Sequence, residues 1–201
     1  GIGGPYAIKD LNLLDESGNN IINATNQIDN NLYYYSFAID NSYIQTGDGN
    51  DEFNINNYRG YYAVGLQSST LNSGQGSDKI IIDLLEDRFV YGAFGLENSE
   101  INTGSGDDEV EITITSSKNN AFTSYALKNS SIKLGEGNDN LNISQNNSSG
   151  NLDIAISGEV SYSVLYDFGS GDDVGSFYSK GYGIKSDGAN RHEVVLGEGD
   201  D

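Results

Sequence analysis

Apolar and polar residues alternate along much of the chain. Phe53/Ile55, Ile80/Ile82, Val110/Ile112/Ile114 and Leu141/Ile143 each fill every second position, with polar residues between them. A period of two predicts half-buried β-strands. No segment shows the 3.6-residue spacing, with caps, of an amphipathic helix. Upstream of the alternating runs a small residue is followed by an aliphatic one: Ala38–Ile39, Gly65–Leu66, Gly95–Leu96 and Ala126–Leu127. Gly, Asn and Ser cluster between the runs and mark turns, so the strands are short and closely spaced.

The turns repeat. TGDGND (46–51), SGQGSD (73–78), TGSGDD (103–108), LGEGND (134–139), FGSGDD (168–173) and LGEGDD (196–201) share one frame. Their first glycines fall at 47, 74, 104, 135, 169 and 197, at intervals of 27, 30, 31, 34 and 28 residues. In four repeats the first glycine follows the small residue of the small–aliphatic pair by nine positions. The same frame finds Ala7–Ile8 ahead of DESGNN (15–20), where Glu16 and Asn20 replace the expected Gly and Asp. Residues 1–33 are therefore a degenerate first repeat of seven. A fixed motif at near-fixed spacing signals a repeat architecture. The expectation is one all-β domain over 1–201: a right-handed parallel β-solenoid (β-helix) of about seven coils, with Gly-x-Gly-x-Asp turns stacked along one edge. With a rise of about 4.8 Å per coil, the prism would stand roughly 34 Å tall. Because the chain ends on the repeated phrase, it is expected to be a fragment of a longer array.

Stacked coils turn repeat positions into columns. Asn41, Asn98 and Asn129 share one, followed by Ser42, Ser69, Ser99 and Ser130. Asn in register can hydrogen-bond along a ladder. The preceding column, Lys9, Asp40, Gln67, Glu97, Lys128, Ser157 and Lys185, mixes charge and reads as a solvated face. Tyr6, Tyr62, Tyr91, Tyr125 and Tyr182 precede the small–aliphatic pairs at similar offsets and read as a packing column. The competing use for tyrosine is a sugar-stacking platform at Tyr33–Tyr34–Tyr35 or Tyr58/Tyr61/Tyr62.

Charge changes the picture more than size does. The chain carries 30 Asp and Glu against 10 Lys and Arg, a formal net charge of −20. Nucleic-acid binding is excluded as the expected role, since neutralising phosphates needs a cationic surplus. The carboxylates call for a cation that the sequence does not supply. With no cysteine there are no disulfides or thiolate metal sites. No apolar run approaches the length of a membrane span. Twenty-six glycines against one proline argue against both collagen and a disordered linker.

Two glycines one residue apart allow positive φ and let backbone carbonyls turn toward a common point. An Asp two residues later brings a carboxylate to the same side. Hard oxygen donors of this kind suit Ca²⁺, which takes six to eight oxygens at about 2.3–2.6 Å. A divalent ion between stacked turns would convert carboxylate repulsion into a clamp. The alternative is that each Asp only caps its own turn.

These phrases resemble the haemolysin-type (RTX) calcium-binding nonapeptide G-G-x-G-x-D-x-U-x. Its second, fourth and sixth positions are met by Gly47/Gly49/Asp51, Gly74/Gly76/Asp78, Gly104/Gly106/Asp108, Gly135/Gly137/Asp139, Gly169/Gly171/Asp173 and Gly197/Gly199/Asp201. Phe53, Ile80, Val110 and Leu141 fill the apolar position, and Gly175 breaks it. The resemblance implies Ca²⁺ held by turn carbonyls and these aspartates, export from a bacterial cell, and folding triggered by external calcium. Two features depart from the family. Thr46, Ser73, Thr103, Leu134, Phe168 and Leu196 stand in place of its opening glycine, and there is one motif per coil of about thirty residues rather than two per short coil. One calcium column follows, with up to five ions. The flanking acids Asp48, Asp107, Glu136, Asp172, Glu198 and Asp200 read as outer-shell or solvated charge.

Catalytic signals are thin. His192 is the single histidine, and zinc chemistry is not expected of it. Carboxylate pairs are too numerous to single out a glycosidase dyad, and no phosphate-loop sequence is present. The expected function is a calcium-binding, secreted structural protein of a bacterial cell surface, sheath or filament, not an enzyme. Its partners would be calcium ions, further copies end to end, or a surface polysaccharide. A calcium-dependent adhesin or carbohydrate-binding module is the first alternative, and a polysaccharide lyase or epimerase the second.

Overall fold

The computed structural model describes residues 5–27, 35–59, 62–86, 92–116, 124–147, 154–157, 164–179, 182–185 and 192–199. Every strand pairing is parallel, and no helix occurs among the described residues. The protein is an all-β parallel β-solenoid. One sheet contains Tyr6–Lys9, Tyr35–Asp40, Tyr62–Gln67, Gly92–Glu97 and Tyr125–Lys128, in that order. A second runs Asn12–Leu14, Tyr43–Gln45, Thr70–Gln75, Glu100–Ser105, Ser130–Glu136, Val164–Asp167 and His192–Val195. A third runs Ile21–Gln27, Glu52–Tyr58, Lys79–Glu86, Glu109–Ser116, Asn140–Asn147 and Val174–Ser179. Ile154–Ser157 pairs with Tyr182–Lys185. Neighbours in each sheet lie about one sequence repeat apart, because the chain must complete a circuit before it lies beside itself. Among the described residues no helix is long and apolar enough to cross a membrane.

The period-two pattern decides which side chains fill the interior. Phe53, Ile55, Ile80, Ile82, Val110, Ile112, Leu141 and Ile143 are all buried in one core with Ile39, Leu66, Leu96 and Leu127 from the first sheet. Burying each such aliphatic side chain contributes about 1.5–3 kcal/mol. One interior column reads Asn26, Asn57, Leu84, Ile114, Gln145 in register. Its amides donate to backbone carbonyls. Asn57 Nδ2 donates to the Ser36 and Val64 carbonyls at 2.8 Å each, and Gln145 Nε2 to the Ser124 carbonyl at 3.0 Å. Buried polar atoms paired in this way avoid the desolvation penalty.

The corner between the first and second sheets uses a left-handed residue on each circuit. Asp10, Asn41, Ser68, Asn98 and Asn129 have φ between 48° and 55°, a region that Asn and Asp enter more readily than other non-glycine residues. Asn41 Nδ2 donates to Asp10 Oδ1 at 2.7 Å, and Asn129 Nδ2 to Asn98 Oδ1 at 3.1 Å. The serines behind them form a continuous ladder. Ser69 Oγ accepts the Ser42 N–H, Ser99 Oγ accepts that of Ser69, and Ser130 Oγ accepts that of Ser99, at 3.0–3.1 Å. Each hydroxyl also donates within its own corner, as Ser69 does to the Gln67 carbonyl at 2.7 Å.

On the first sheet's outer face, opposite charges meet in the mixed column: Lys128 Nζ lies 2.5 Å from Glu97 and Lys9 Nζ 4.0 Å from Asp40. Aromatic rings stack beside it. Tyr6 on Phe37, Tyr35 on Tyr62 and Phe94 on Tyr125 have centroids 5.4, 4.5 and 5.6 Å apart. Rings lying face to face occupy the surfaces that a sugar would stack on, which favours packing for Tyr35 and Tyr62. Tyr33, Tyr34, Tyr61, Tyr91 and the side chain of Tyr182 lie outside the described residues, as does the side chain of His192.

Candidate metal centre

The second corner, between the second and third sheets, is formed by the Gly-x-Gly-x-Asp phrases. Its glycines have positive φ, from 81° at Gly47 and 87° at Gly169 to 146° at Gly49 and 147° at Gly171. The close approach of neighbouring circuits also requires them. A Cβ on Gly76 would lie 1.9 Å from the Gly49 carbonyl oxygen, and one on Gly104 2.0 Å from that of Gly74. Gly104 stands in register with Gly74 and Gly135. Such contact draws the turns into backbone hydrogen bonds along the solenoid axis. Gly49, Gly76, Gly106, Gly137 and Gly171 donate their N–H groups to the Gln75, Ser105, Glu136, Ser170 and Glu198 carbonyls at 2.7–2.9 Å. The Gly47, Gly135 and Gly169 carbonyls accept the N–H groups of Gln75, Ser170 and Glu198 in turn. Each of these oxygens keeps one lone pair for another partner. Gly197 and Gly199 belong to the same series, whereas Asp201 lies outside the described residues.

The aspartates point inward, on the same side of the chain as Phe53 and Ile80. Asp51, Asp78, Asp108 and Asp139 are 2 % exposed and Asp173 4 %. One oxygen of each has a defined task. Asp51 Oδ1 accepts the N–H of Asn20, Asp78 Oδ1 that of Asp51, Asp108 Oδ1 that of Asp78, Asp139 Oδ1 that of Asp108, and Asp173 Oδ1 that of Asp139. These bonds are 2.7–2.9 Å long. Each carboxylate thus caps its neighbour's turn rather than its own. The other oxygen, Oδ2, is buried without a hydrogen bond in Asp51, Asp78, Asp108 and Asp139.

A second ladder runs the opposite way on the outside of the same turn. Asn19 accepts the Asn50 N–H, Asn50 that of Ser77, Asp107 that of Asn138, and Asn138 that of Asp172, all at 2.9 Å. Asp107 therefore has a structural task that its reading as solvated charge missed. The preference for Asn or Asp just before the aspartate, in GND and GDD, was the available signal.

The residue opening the phrase lies beside the aspartate at Ser73/Asp78 and Thr103/Asp108. Thr46 Oγ1 donates to the Ser73 carbonyl at 3.0 Å, Ser73 Oγ to the Thr103 carbonyl at 3.1 Å, and Thr103 Oγ1 to the Leu134 carbonyl at 2.6 Å. These carbonyls thus already hold one bond where the family has an opening glycine. At Leu134 and Phe168 the hydroxyl gives way to an apolar side chain buried in the core. Phe168 Cζ lies 2.8 Å from where a Cβ on Gly175 would stand, so its ring fills the space left by the missing apolar residue. Burial pushes the Asp78 carboxyl up to about 6, while the Ser73 hydroxyl and the Asp51 N–H favour the charged form. Burial pushes Asp139 up to about 7, with the Asp108 N–H opposing and the Asp108 and Asp173 carboxylates adding to the rise.

The donor set fits a hard cation in part. Oδ2 atoms without hydrogen bonds are buried at Asp51, Asp78, Asp108 and Asp139, and the turns that carry them also bring hydroxyl and carbonyl oxygens from Thr46, Ser73 and Thr103. Among the described residues no three His, Cys, Asp or Glu side chains converge on a point. Any ion would therefore be shared by two carboxylates and completed by neutral oxygens. The chain matches no protein-family profile, no curated protein and no solved structure.

Proposed function

We propose that the chain is a calcium-stabilised structural protein: a rigid extracellular solenoid of about seven coils whose Gly-x-Gly-x-Asp turns stack along one edge and share ions between successive aspartates. The single observation that carries this reading is the column of buried, unbonded Oδ2 atoms at Asp51, Asp78, Asp108 and Asp139. Buried carboxylates one above another repel and lose hydration, so each must take up a proton or meet a cation. Calcium takes six to eight oxygens in flexible geometry, which carboxylates and neutral oxygens of this kind could supply, whereas magnesium demands near-ideal octahedral geometry and keeps several waters.

Oxygen-only sites with few charges per ion suit the millimolar calcium found outside cells. The resemblance to the haemolysin-type repeat points the same way, with one motif per coil in place of two. The regular circuits, with two corners built as side-chain ladders, suit a scaffold. Thermal unfolding of the full chain is the test. Calcium is expected to raise the melting temperature by more than 10 °C over EDTA, a shift of several kcal/mol, and magnesium to do far less. Equal melting in calcium and EDTA would sink the calcium reading.

A further inference from the structure

We infer that the calcium column is bounded by the chain's own side chains and occupies only the gaps Asp51–Asp78 and Asp78–Asp108; this rests on the reading that the aspartates hold calcium. The six phrases look equivalent in the Gly-x-Gly-x-Asp frame, but the residues beside the carboxylates are not. Around the two named gaps the opening positions are Thr46, Ser73 and Thr103, linked hydroxyl to carbonyl along the axis, and the Ser73 and Thr103 hydroxyls bring neutral oxygens to the Asp78 and Asp108 carboxyls. A calcium ion needs six to eight oxygens. Two carboxylates supply too few, so the lining decides whether the shell can be completed.

At one end the column meets Asn20, where the repeat would place an aspartate. Its N–H is on Asp51 Oδ1 at 2.7 Å, and its Nδ2 donates to the Gly18 carbonyl at 2.8 Å and the Thr46 carbonyl at 3.5 Å. The Asn20–Asp51 gap thus holds one carboxylate, and an amide donor occupies carbonyl oxygens that an ion would use. At the other end Leu134 and Phe168 take the opening positions of the Asp139 and Asp173 phrases, both 1 % exposed and packed into the core. These side chains offer no oxygen and exclude the water that could substitute for one. The Asp108–Asp139 gap retains one hydroxyl, from Thr103, and the Asp139–Asp173 gap none. Leu134 therefore begins an apolar plug that Phe168 completes.

The test counts ions on the full chain after chelator stripping, by calorimetric titration with calcium and elemental analysis of the saturated protein. Two ions per chain are expected. Leu134→Thr should bind a third, and Ser73→Val, which lines both occupied gaps, should bind fewer than two. Circular dichroism establishes that each variant keeps its β-signature, and the parent count stands even if a variant does not fold. Three or more ions in the parent, or a folded Leu134→Thr that still binds two, would overturn the bounded column while leaving calcium binding intact. No ions in the parent would overturn the calcium reading, and this inference with it.

Discussion

The two corners of the solenoid solve one problem with different chemistry. At both, a side-chain oxygen accepts a backbone N–H from the neighbouring circuit: Ser69 Oγ from Ser42, and Asp78 Oδ1 from Asp51, at 3.1 and 2.8 Å. A serine hydroxyl has one proton to give, and each gives it to a carbonyl two residues back, so the serine ladder is closed. An aspartate brings two oxygens and a charge, of which the ladder uses one oxygen. The surplus oxygen of Asp78 remains buried and unbonded. If acceptance of an N–H were the whole task, serine or asparagine would perform it without a buried charge. The excess at the aspartate corner is the part that the proposed calcium would use.

The corners also differ in how tightly circuits approach. At the serine corner Asn98 adopts φ 50° with its side chain exposed, so a Cβ is accommodated. At the aspartate corner Gly76 has φ 123° and a Cβ would meet the Gly49 carbonyl oxygen at 1.9 Å. Gly76→Ala is therefore the most damaging change expected, costing more than about 3 kcal/mol. Asn98→Gly should fall within about 0.5 kcal/mol of the parent in urea unfolding. Comparable costs at the two positions would erase this contrast.

Asp78→Ala leaves the Asp51 N–H buried without an acceptor and should cost about 1–3 kcal/mol in urea unfolding. It should also lower the stabilisation that calcium gives. Asp78→Asn separates these roles: it keeps an acceptor oxygen and removes the charge. In EDTA above pH 7 it should match or exceed the parent, while its calcium response should fall as far as that of Asp78→Ala. An undiminished calcium response in Asp78→Asn would show that the surplus oxygen has no role in cation binding.

Acidity tests the same surplus charge without mutation. Burial raises Asp78 to about 6 and Asp139 to about 7 from 3.8 in the unfolded chain. Between those limits the folded state binds more protons than the unfolded state, so stability falls as pH rises. In EDTA, melting at pH 8 should lie roughly 5 °C below that at pH 5. In saturating calcium the share of the difference that belongs to Asp78 should vanish, since the cation replaces its proton, while the share of Asp139, outside the two occupied gaps, should remain. The smallest calcium and pH responses are expected at the serine corner. Ser69→Ala should cost about 1 kcal/mol and leave both the calcium and the pH responses unchanged.

Much of this was legible in the sequence because a repeat writes each structural position several times. Phe53, Ile80, Val110 and Leu141 announced an inward column by their spacing, and all four are buried. The serine column at 42, 69, 99 and 130 was visible as a column, though not its task. The mixed charges at Lys9/Asp40 and Glu97/Lys128 read as a solvated face; opposite charges do pair there across neighbouring circuits, but Lys128 and Glu97 are only 19 % and 15 % exposed. Less legible was the division of labour within GND and GDD. Two adjacent Asx residues face opposite sides of one turn and run their ladders in opposite directions, a fact of three-dimensional register rather than composition. The shift from Thr46, Ser73 and Thr103 to Leu134 and Phe168 was plain to see, but its consequence depended on knowing that this position faces the carboxylate.

The sequence by itself determined the period, the strand positions, the turn glycines and the excess of negative charge. These follow from local rules: alternation selects strands, and positive φ selects glycine. Only the tertiary structure decided that each aspartate accepts its neighbour's N–H with one oxygen and buries the other unbonded. It also placed the Phe168 ring in the space that Gly175 leaves. Both outcomes depend on which atoms of one circuit lie against the next. That is set by packing between residues about thirty positions apart, beyond the reach of local pattern.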